Sequence, residues 1–288
     1  MGSKVSTAKR STPPKTKAVT APVISRDTIP VIPHDIINEI LDHLAGDSAF
    51  RSIRACALLS KSWVQPCRYH LFHTALFTPA SAREWLKTFP IREESPAHYV
   101  KDLRLRMGHG PRLPEEFFEC IPWFTEVDRM SFLGYGAAPL GYRTSPSPGP
   151  SFWRPPRSVT SLTISTAVVT LVQVRDIVAQ LPNLNDLVLS GFDEPKRSKL
   201  PGIGTVLKGR FGGRLMLSDE CVSEGVINML LEIPSGLHFT EMKIHCTQNP
   251  LPSSAVRLAE ACGETLVRLS HTVSFHGKSY LFPQSGWF

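Results

Sequence analysis

The sequence predicts an α+β protein, in which a small three-helix module is followed by a longer α/β solenoid with a parallel sheet. Two patterns support this fold class. Between residues 29 and 72, apolar residues recur at the spacing of short amphipathic helices. From residue 100 onward, short apolar-x-apolar strand patterns alternate with helical ones, which is typical of parallel strands joined by helices. The 25 prolines also favour many short elements over a few long helices.

Residues 1–27 are predicted to be a disordered basic tail, because they contain too few large apolar groups to offset the entropy of folding. Residues 1–26 carry six Lys and Arg and no acidic residue, so they account for +6 of the formal net charge of +7. The remaining +1 is too little for a broad phosphate-binding face, and nucleic acid is not expected as a partner. A role of the tail alone in binding anions or in nuclear import stays open.

Residues 28–75 are predicted to form the helical module. Pro33 suits the first turn of a helix, where a missing N–H costs nothing, and Gly46 would end that helix. A second helix at about 48–60 and a third that carries Trp63 complete the module. The first helix has more apolar surface than so small a bundle can cover, and this excess indicates a binding surface for a partner.

The order and spacing of residues in this module resemble an F-box. The matching segments are Ile32-Pro33, Asp35-Ile36-Ile37, Ile40-Leu41, Leu44, Cys56 to Leu59, Ser60-Lys61-Ser62-Trp63 and Leu71-Phe72. Ile32 stands where the family usually has Leu, and Asp35 where it usually has Glu, so both positions keep their chemistry. The match lies within residues 29–72, and its residue pattern resembles that of the F-box proteins that are numerous in mushroom-forming fungi.

In the family that this module resembles, the F-box docks on a Skp-type adaptor, which joins cullin and RING subunits into an SCF-type E3 ubiquitin ligase. The resemblance implies that the chain performs no chemistry itself. The residues that would meet the adaptor are Ile32, Pro33, Ile36, Ile37, Ile40, Leu41 and Leu44. Half of them could instead fill the core of the module, and for Ile37 and Ile40 the two roles are evenly matched. Trp63 and Leu59 are expected to be internal.

A helical linker is predicted at 76–99, and a repeating strand pattern follows at 100–288. Successive copies begin roughly 25 to 32 residues apart, which is the length of a strand, a turn, a helix and a return loop. Each full copy has an apolar pair that flanks one residue: Leu103/Leu105, Met130/Phe132, Leu162/Ile164, Leu187/Leu189, Leu215/Leu217 and Met242/Ile244. In a weaker last copy, His271 replaces the second member of the pair after Leu269. A Pro-rich loop is expected at 139–157.

This spacing resembles degenerate leucine-rich repeats, whose parallel strands stack their Leu pairs on one another. The Asn that often follows the Leu pair in that family is missing, and an ordinary α/β layer without solenoid curvature is the alternative fold. Residues beside the Leu pairs should point outward and hold a target protein. These candidates are Arg104, Arg106, Arg129, Thr163, Asp186, Arg214, Lys243 and His245. A plain solvated strand face is the other interpretation of these residues.

The sequence does not indicate an enzyme. It contains no G-x-S-x-G, H-E-x-x-H or Walker motif, and the glycine-rich string at 202–213 leads into a strand, as a return loop would. The six Cys form no C-x-x-C pair and the ten His are scattered, so no metal and no cofactor are expected. No apolar run approaches the ~18–20 residues of a membrane span, and a protein of the cytoplasm and/or the nucleus is expected.

The sequence therefore predicts a substrate-recognition subunit of a cullin-RING ubiquitin ligase. It would bind a Skp-type adaptor through the helical module and an unidentified target protein through the repeats. The alternative function is a protein-interaction scaffold that never joins a ligase. Binding of the adaptor distinguishes these two functions.

Overall fold

The computed structural model describes residues 32–47, 49–107, 113–134, 155–165, 169, 171–191, 211–218, 222–232, 237–246, 252–275 and 278–283. The predicted basic tail at 1–27 and the predicted Pro-rich loop up to residue 154 lie outside these residues. The described residues form three helices that precede a nine-stranded sheet, and five further helices lie between its strands.

The three helices of the module are α1 (His34–Gly46), α2 (Phe50–Cys56) and α3 (Lys61–Phe72). Pro33 precedes α1, and Asp35 lies in its first turn, where a carboxylate complements the helix dipole. The helices enclose a small apolar core of Ile37, Leu41, Ile53, Trp63 and Cys67. This core is separate from the core of the sheet, and Trp63 is internal, as the sequence predicts.

A single sheet runs through the rest of the described chain, with its strands in sequence order. The first eight strands are parallel, and each pairs with the strand before it. The strands are β1 (Thr74–Phe77), β2 (Asp102–Met107), β3 (Arg129–Gly134), β4 (Ser161–Ser165), β5 (Asp186–Ser190), β6 (Phe211–Ser218), β7 (Leu237–Cys246), β8 (Arg268–Phe275) and β9 (Lys278–Pro283). The predicted combination of helices with a parallel sheet is confirmed.

The helices between these strands are α4 (Pro79–Thr88), α5 (Glu115–Cys120), α6 (Leu171–Ala179), α7 (Glu224–Leu231) and α8 (Ser253–Ala261). The predicted apolar pairs lie opposite one another across the strands and form two buried rows. Stacking copies buries both rows, which a single strand and helix cannot do. The positions of these pairs are therefore confirmed.

Aromatic side chains cover the end of the sheet core next to β1. The ring of Trp85 on α4 lies 5.1 Å from that of Phe77, 4.8 Å from that of Phe89 and 5.8 Å from that of Phe124, centroid to centroid. Phe77 also lies 4.5 Å from Phe117. In the described part of the chain, no strand pairs with the outer edge of β1. The aromatic cluster covers this end of the apolar core instead.

Both ends of the sheet differ from the prediction. β1 begins in the segment assigned to the helical module and runs into the predicted helical linker at 76–99, which otherwise contains α4 and two 3₁₀ turns. Only Phe77 in β1 is a large inward residue, so the repeat pattern does not reveal this strand. β9 pairs antiparallel with β8, and the prediction of parallel pairing is wrong for this last pair.

Candidate interaction surfaces

Helix α1 carries two neighbouring apolar faces. Ile37 and Leu41, one helical turn apart, are fully buried in the core of the module. Ile36 and Ile40 have the same spacing but lie 43% and 39% exposed, and Ile32 just before the helix is 42% exposed. We call Ile32, Ile36 and Ile40 the α1 ridge. The module therefore buries one apolar face of α1 and leaves the adjacent one in solvent.

This burial corrects part of the predicted adaptor-binding set. Ile37 and Leu41 are enclosed by α2 and α3, so a partner cannot reach them while the module is folded. Leu44 packs at the edge of the same core and is half-buried. Pro33 and the α1 ridge are exposed, and these four residues are the most accessible members of the predicted set.

The turn after α2 exposes two leucines. The N–H of Leu58 donates to the carbonyl of Ala55 and the N–H of Leu59 to that of Cys56, each at 3.0 Å, which turns the chain away from the core. Leu58 is 87% and Leu59 67% exposed, so the expectation that Leu59 is internal is wrong. Of the eleven large apolar side chains that are exposed in the described part of the chain, seven lie between Ile32 and Tyr69. Exposed apolar side chains are therefore concentrated in the helical module.

An acidic border runs along α1 beside the ridge. Asp35, Glu39 and Asp42 recur at helical spacing and are exposed. Asp42 Oδ1 lies 3.6 Å from Nε2 of His70 on α3. Burial lowers the pKa of His70, and His73 lowers it further, although the nearby Asp42 acts in the opposite direction. The imidazole is therefore mostly neutral at neutral pH and adds no positive charge beside the ridge.

The outward side chains of β2–β8 form the second surface, which we call the open face. One outward position makes a row across the strands: Asp102, Arg129, Ser161, Asp186, Arg214, Glu241 and Arg268. Charges of opposite sign are neighbours in this row. Arg214 Nε and Nη2 lie 2.8 and 2.9 Å from the two carboxylate oxygens of Asp186, and these hydrogen bonds raise the pKa of Arg214.

All eight predicted target-binding residues lie at outward positions on the open face, but several already have partners. Asp186 is paired with Arg214, both of which belong to the predicted set. Arg104 Nη2 lies 2.7 Å from Asp102 Oδ2 and Lys243 Nζ 3.1 Å from Glu241 Oε1. Lys243, whose Nζ forms this ion pair, lowers the pKa of Glu241. Arg129 is exposed and makes no ion pair with any residue that the structure describes.

The centre of the open face, on β4–β6, is uncharged apart from the Asp186–Arg214 pair. Its outward residues include Thr163, Ser165, Val188, Ser190 and Met216. They are half-buried and mostly small. The predicted target-binding set takes Thr163 from this centre, together with Asp186 and Arg214 of the charged pair.

An open depression of about 350 Å³ lies on β4–β7 at the charged row. It lies at an irregularity in the β6–β7 pairing between Gly213 and Arg214, which leaves Thr240 without a ladder partner. The Thr240 hydroxyl donates instead to the carbonyl of Gly213 at 3.1 Å. Gly213 has a φ of 80°, and a Cβ there would lie 2.1 Å from the carbonyl oxygen of Asn185. This position therefore requires glycine.

The described residues offer surfaces for binding. No group of three or more His, Cys, Asp and Glu side chains is placed to hold a metal among the described residues.

Most of the described cysteines are buried. Cys246 Sγ lies 3.1 Å from Nε2 of His271, and both side chains are buried. Burial raises the pKa of the Cys120 and Cys262 thiols to about 11, so these thiols are protonated at neutral pH.

No helix within the described ranges is long and apolar enough to cross a bilayer. The chain matches no family model, no curated protein and no solved structure with which it was compared.

Proposed function

We propose that this chain is the substrate-recognition subunit of an SCF-type E3 ubiquitin ligase. The α1 ridge docks on a Skp-type adaptor, and the open face holds the target protein. The observation that carries the proposal is the ridge, because α1 fills the core of its module with Ile37 and Leu41, yet Ile36, Ile40 and the preceding Ile32 remain exposed. The F-box-like order of these residues supports a Skp-type adaptor as the partner.

The ridge is large enough to contribute substantially to binding. Complete burial of an Ile side chain contributes ~1.5–3 kcal/mol, so covering the remaining two-fifths of each ridge residue contributes about 1 kcal/mol. Three such residues contribute about 3 kcal/mol, which is about a hundredfold in the dissociation constant. The exposed Leu58 and Leu59 provide further apolar surface on the same module.

In this proposal the chain carries out no chemistry itself. Its parallel sheet keeps the target close to the ubiquitin-charged enzyme, which raises the effective concentration of the target lysines there. Support for this division of roles comes from the two separate cores, one in the module and one in the sheet.

Titration of the full chain with a purified Skp-type adaptor tests the proposal. The double variant Ile36→Asp with Ile40→Asp should weaken binding at least a hundredfold, because it places two carboxylates in the apolar contact. Both residues are about two-fifths exposed, so the variant should still fold, which a circular dichroism melt checks. Val256→Asp is the matched control, since Val256 is 41% exposed on α8 in the sheet domain.

If the folded wild-type chain shows no binding to the adaptor at micromolar concentration, the ligase function is refuted. In that case a protein-interaction scaffold that uses the open face becomes the better explanation. Equal adaptor binding by the ridge variant and the Val256→Asp control would instead refute the role of the ridge.

A further inference from the structure

The open face carries an excess of positive charge. Its outward positions on β2–β8 hold six cations, Arg104, Arg106, Arg129, Arg214, Lys243 and Arg268, and three carboxylates. The face therefore has a net charge of +3 with His neutral. The whole chain beyond residue 26 has a net charge of only +1, so the rest of that region is net negative. Positive charge is thus concentrated on the face that is proposed to hold the target.

The excess lies at the two ends of the face. On β2 and β3, Arg104 and Arg129 are both exposed, and the carboxylate of Asp102 is nearly buried beneath Arg104. On β7 and β8, Lys243 and Arg268 share the single carboxylate of Glu241, at 3.1 and 3.6 Å. Each end consequently has more cationic than anionic charge.

The strands between the two ends are electrically balanced. Asp186 and Arg214 neutralise one another through two hydrogen bonds. The other outward residues of β4–β6 are uncharged, and most are Ser, Thr or Val. An anionic group would gain little here, whereas small side chains of a partner could lie close to the strands.

We infer that the open face binds an extended acidic segment of a target protein, with carboxylates at both ends and small uncharged residues between them. This inference rests on the proposed function, since it specifies the target. Adjacent strands lie about 4.8 Å apart, so the four steps from Arg129 on β3 to Lys243 on β7 span about 19 Å. An extended peptide advances about 3.3 Å per residue, so its acidic ends lie about six residues apart.

The face fits an acidic protein segment better than a nucleic acid. A phosphate backbone carries charge at every step, and it would meet the carboxylates of Asp186 and Glu241 as well as the cations. Single strands also bind through stacking of bases on aromatic side chains. Three rows of outward residues begin on β2 at Asp102, Arg104 and Arg106 and run across to β7. None of the residues in these rows is Phe, Tyr or Trp.

Fluorescence anisotropy of the full chain with dye-labelled synthetic peptides tests this inference. The probe peptide has two Glu at each end and five Ser and Ala between them. The comparison peptide has the same composition with its four Glu contiguous at the centre. At low salt, the probe should bind at least fivefold more tightly than the comparison peptide. Equal affinity of the two would overturn the proposed spacing of the charges.

The double variant Arg129→Glu with Lys243→Glu should weaken probe binding tenfold or more, because each end then repels the peptide. Arg83→Glu with Arg257→Glu is the control of equal charge change, on helices away from the open face, and should change affinity less than twofold. If both double variants weaken binding equally, general charge rather than this face binds the peptide. Tighter binding of a thymine oligonucleotide than of the probe would also overturn the inference.

The adaptor titration separates this inference from the proposed function. If the chain binds the adaptor but not the probe, the acidic target is refuted and the docking role of the α1 ridge is supported. A chain that binds the probe, but not the adaptor, refutes the ligase function and supports the open face as a binding surface for acidic segments. The Arg129→Glu with Lys243→Glu variant should bind the adaptor as wild type does.

Discussion

Replacing Gly213 with alanine should destabilise the sheet, because the backbone there has no room for a Cβ. With φ at 80°, an L-residue is in the left-handed region, which costs ~1–2 kcal/mol. The new Cβ would also lie 2.1 Å from the carbonyl oxygen of Asn185 and 2.8 Å from its Oδ1. The strands must therefore separate locally.

The strand separation also weakens a hydrogen bond. The N–H of Arg214 donates to the carbonyl of Asn185 at 2.7 Å, and losing such a bond costs about 1 kcal/mol. Together with the backbone strain, Gly213→Ala should lower the free energy of unfolding by about 2–3 kcal/mol. For a domain of this size the melting temperature should fall by about 4–12 °C.

Gly212→Ala is the matched control, because it adds the same methyl group one residue earlier. A Cβ at Gly212 would lie 3.7 Å from the carbonyl oxygen of His238, an ordinary contact. Alanine in a strand should then stabilise the protein slightly, by about 0.5–1 kcal/mol. Urea denaturation followed by circular dichroism measures both variants. If the free energies of unfolding of Gly213→Ala and Gly212→Ala differ by less than about 0.5 kcal/mol, the steric reasoning is refuted.

Leu162→Ala should reduce the free energy of unfolding by about 3 kcal/mol in urea denaturation, because Leu162 is fully buried between neighbouring strands of the apolar row. The exposed Val267→Ala should cost less than about 0.5 kcal/mol, and equal costs would contradict the burial argument. The pKa of His70 is lowered from 6.5 in the folded protein, so on acidification the imidazole is protonated first in the unfolded chain. The free energy of unfolding should therefore be highest above pH 6.5 and decline as the pH falls towards the lower pKa of the folded state. His70→Gln should flatten this decline in melts recorded across that range, and a wild-type melting temperature that rises on acidification would show that the sign is wrong. Cys120 and Cys262 should react with iodoacetamide at neutral pH only after denaturation, since burial raises both pKa values to about 11. Rapid labelling of either thiol in the native protein, located by mass spectrometry, would disprove this.

The repeated strands could be predicted from the sequence because each one places two apolar residues on one face at a regular interval. The pairs at Leu162 and Leu187 illustrate this, since both lie in the same buried row at neighbouring strands. A regular interval also fixes the register, because a slip by one residue would turn each apolar pair into solvent.

The ends of the sheet could not be predicted in the same way. β1 is four residues long, and Ala75 and Phe77 occupy the two positions of its apolar pair. Because Ala75 is small, the pair does not stand out in the sequence as the pairs of the other strands do. β9 reverses direction, and a pattern of period two does not distinguish parallel from antiparallel pairing. The aromatic cluster around Trp85 joins residues that are distant in sequence, and only tertiary packing brings them together.

The two candidate surfaces were predicted unequally well. On α1, spacing identified the apolar residues but could not separate the buried Ile37 from the exposed Ile36, because both suit the same helix. Leu59 is exposed because α2 ends three residues earlier, and helix ends depend on local hydrogen bonds that composition does not reveal. On the open face, strand alternation predicts the outward positions of the charged residues, but their pairing with one another depends on the register of the strands.

Only His73 lies between the end of α3 at Phe72 and the start of β1 at Thr74. Its carbonyl accepts hydrogen bonds from the N–H groups of Lys101 and Asp102, both at 2.9 Å, and Phe72 packs on the apolar core of the sheet. The connection between α3 and β1 is therefore short and fixed by hydrogen bonds. A molecule seated on α1 and another lying across the strands would keep one fixed distance and orientation, and lengthening the junction by a few glycines would uncouple them without altering either contact.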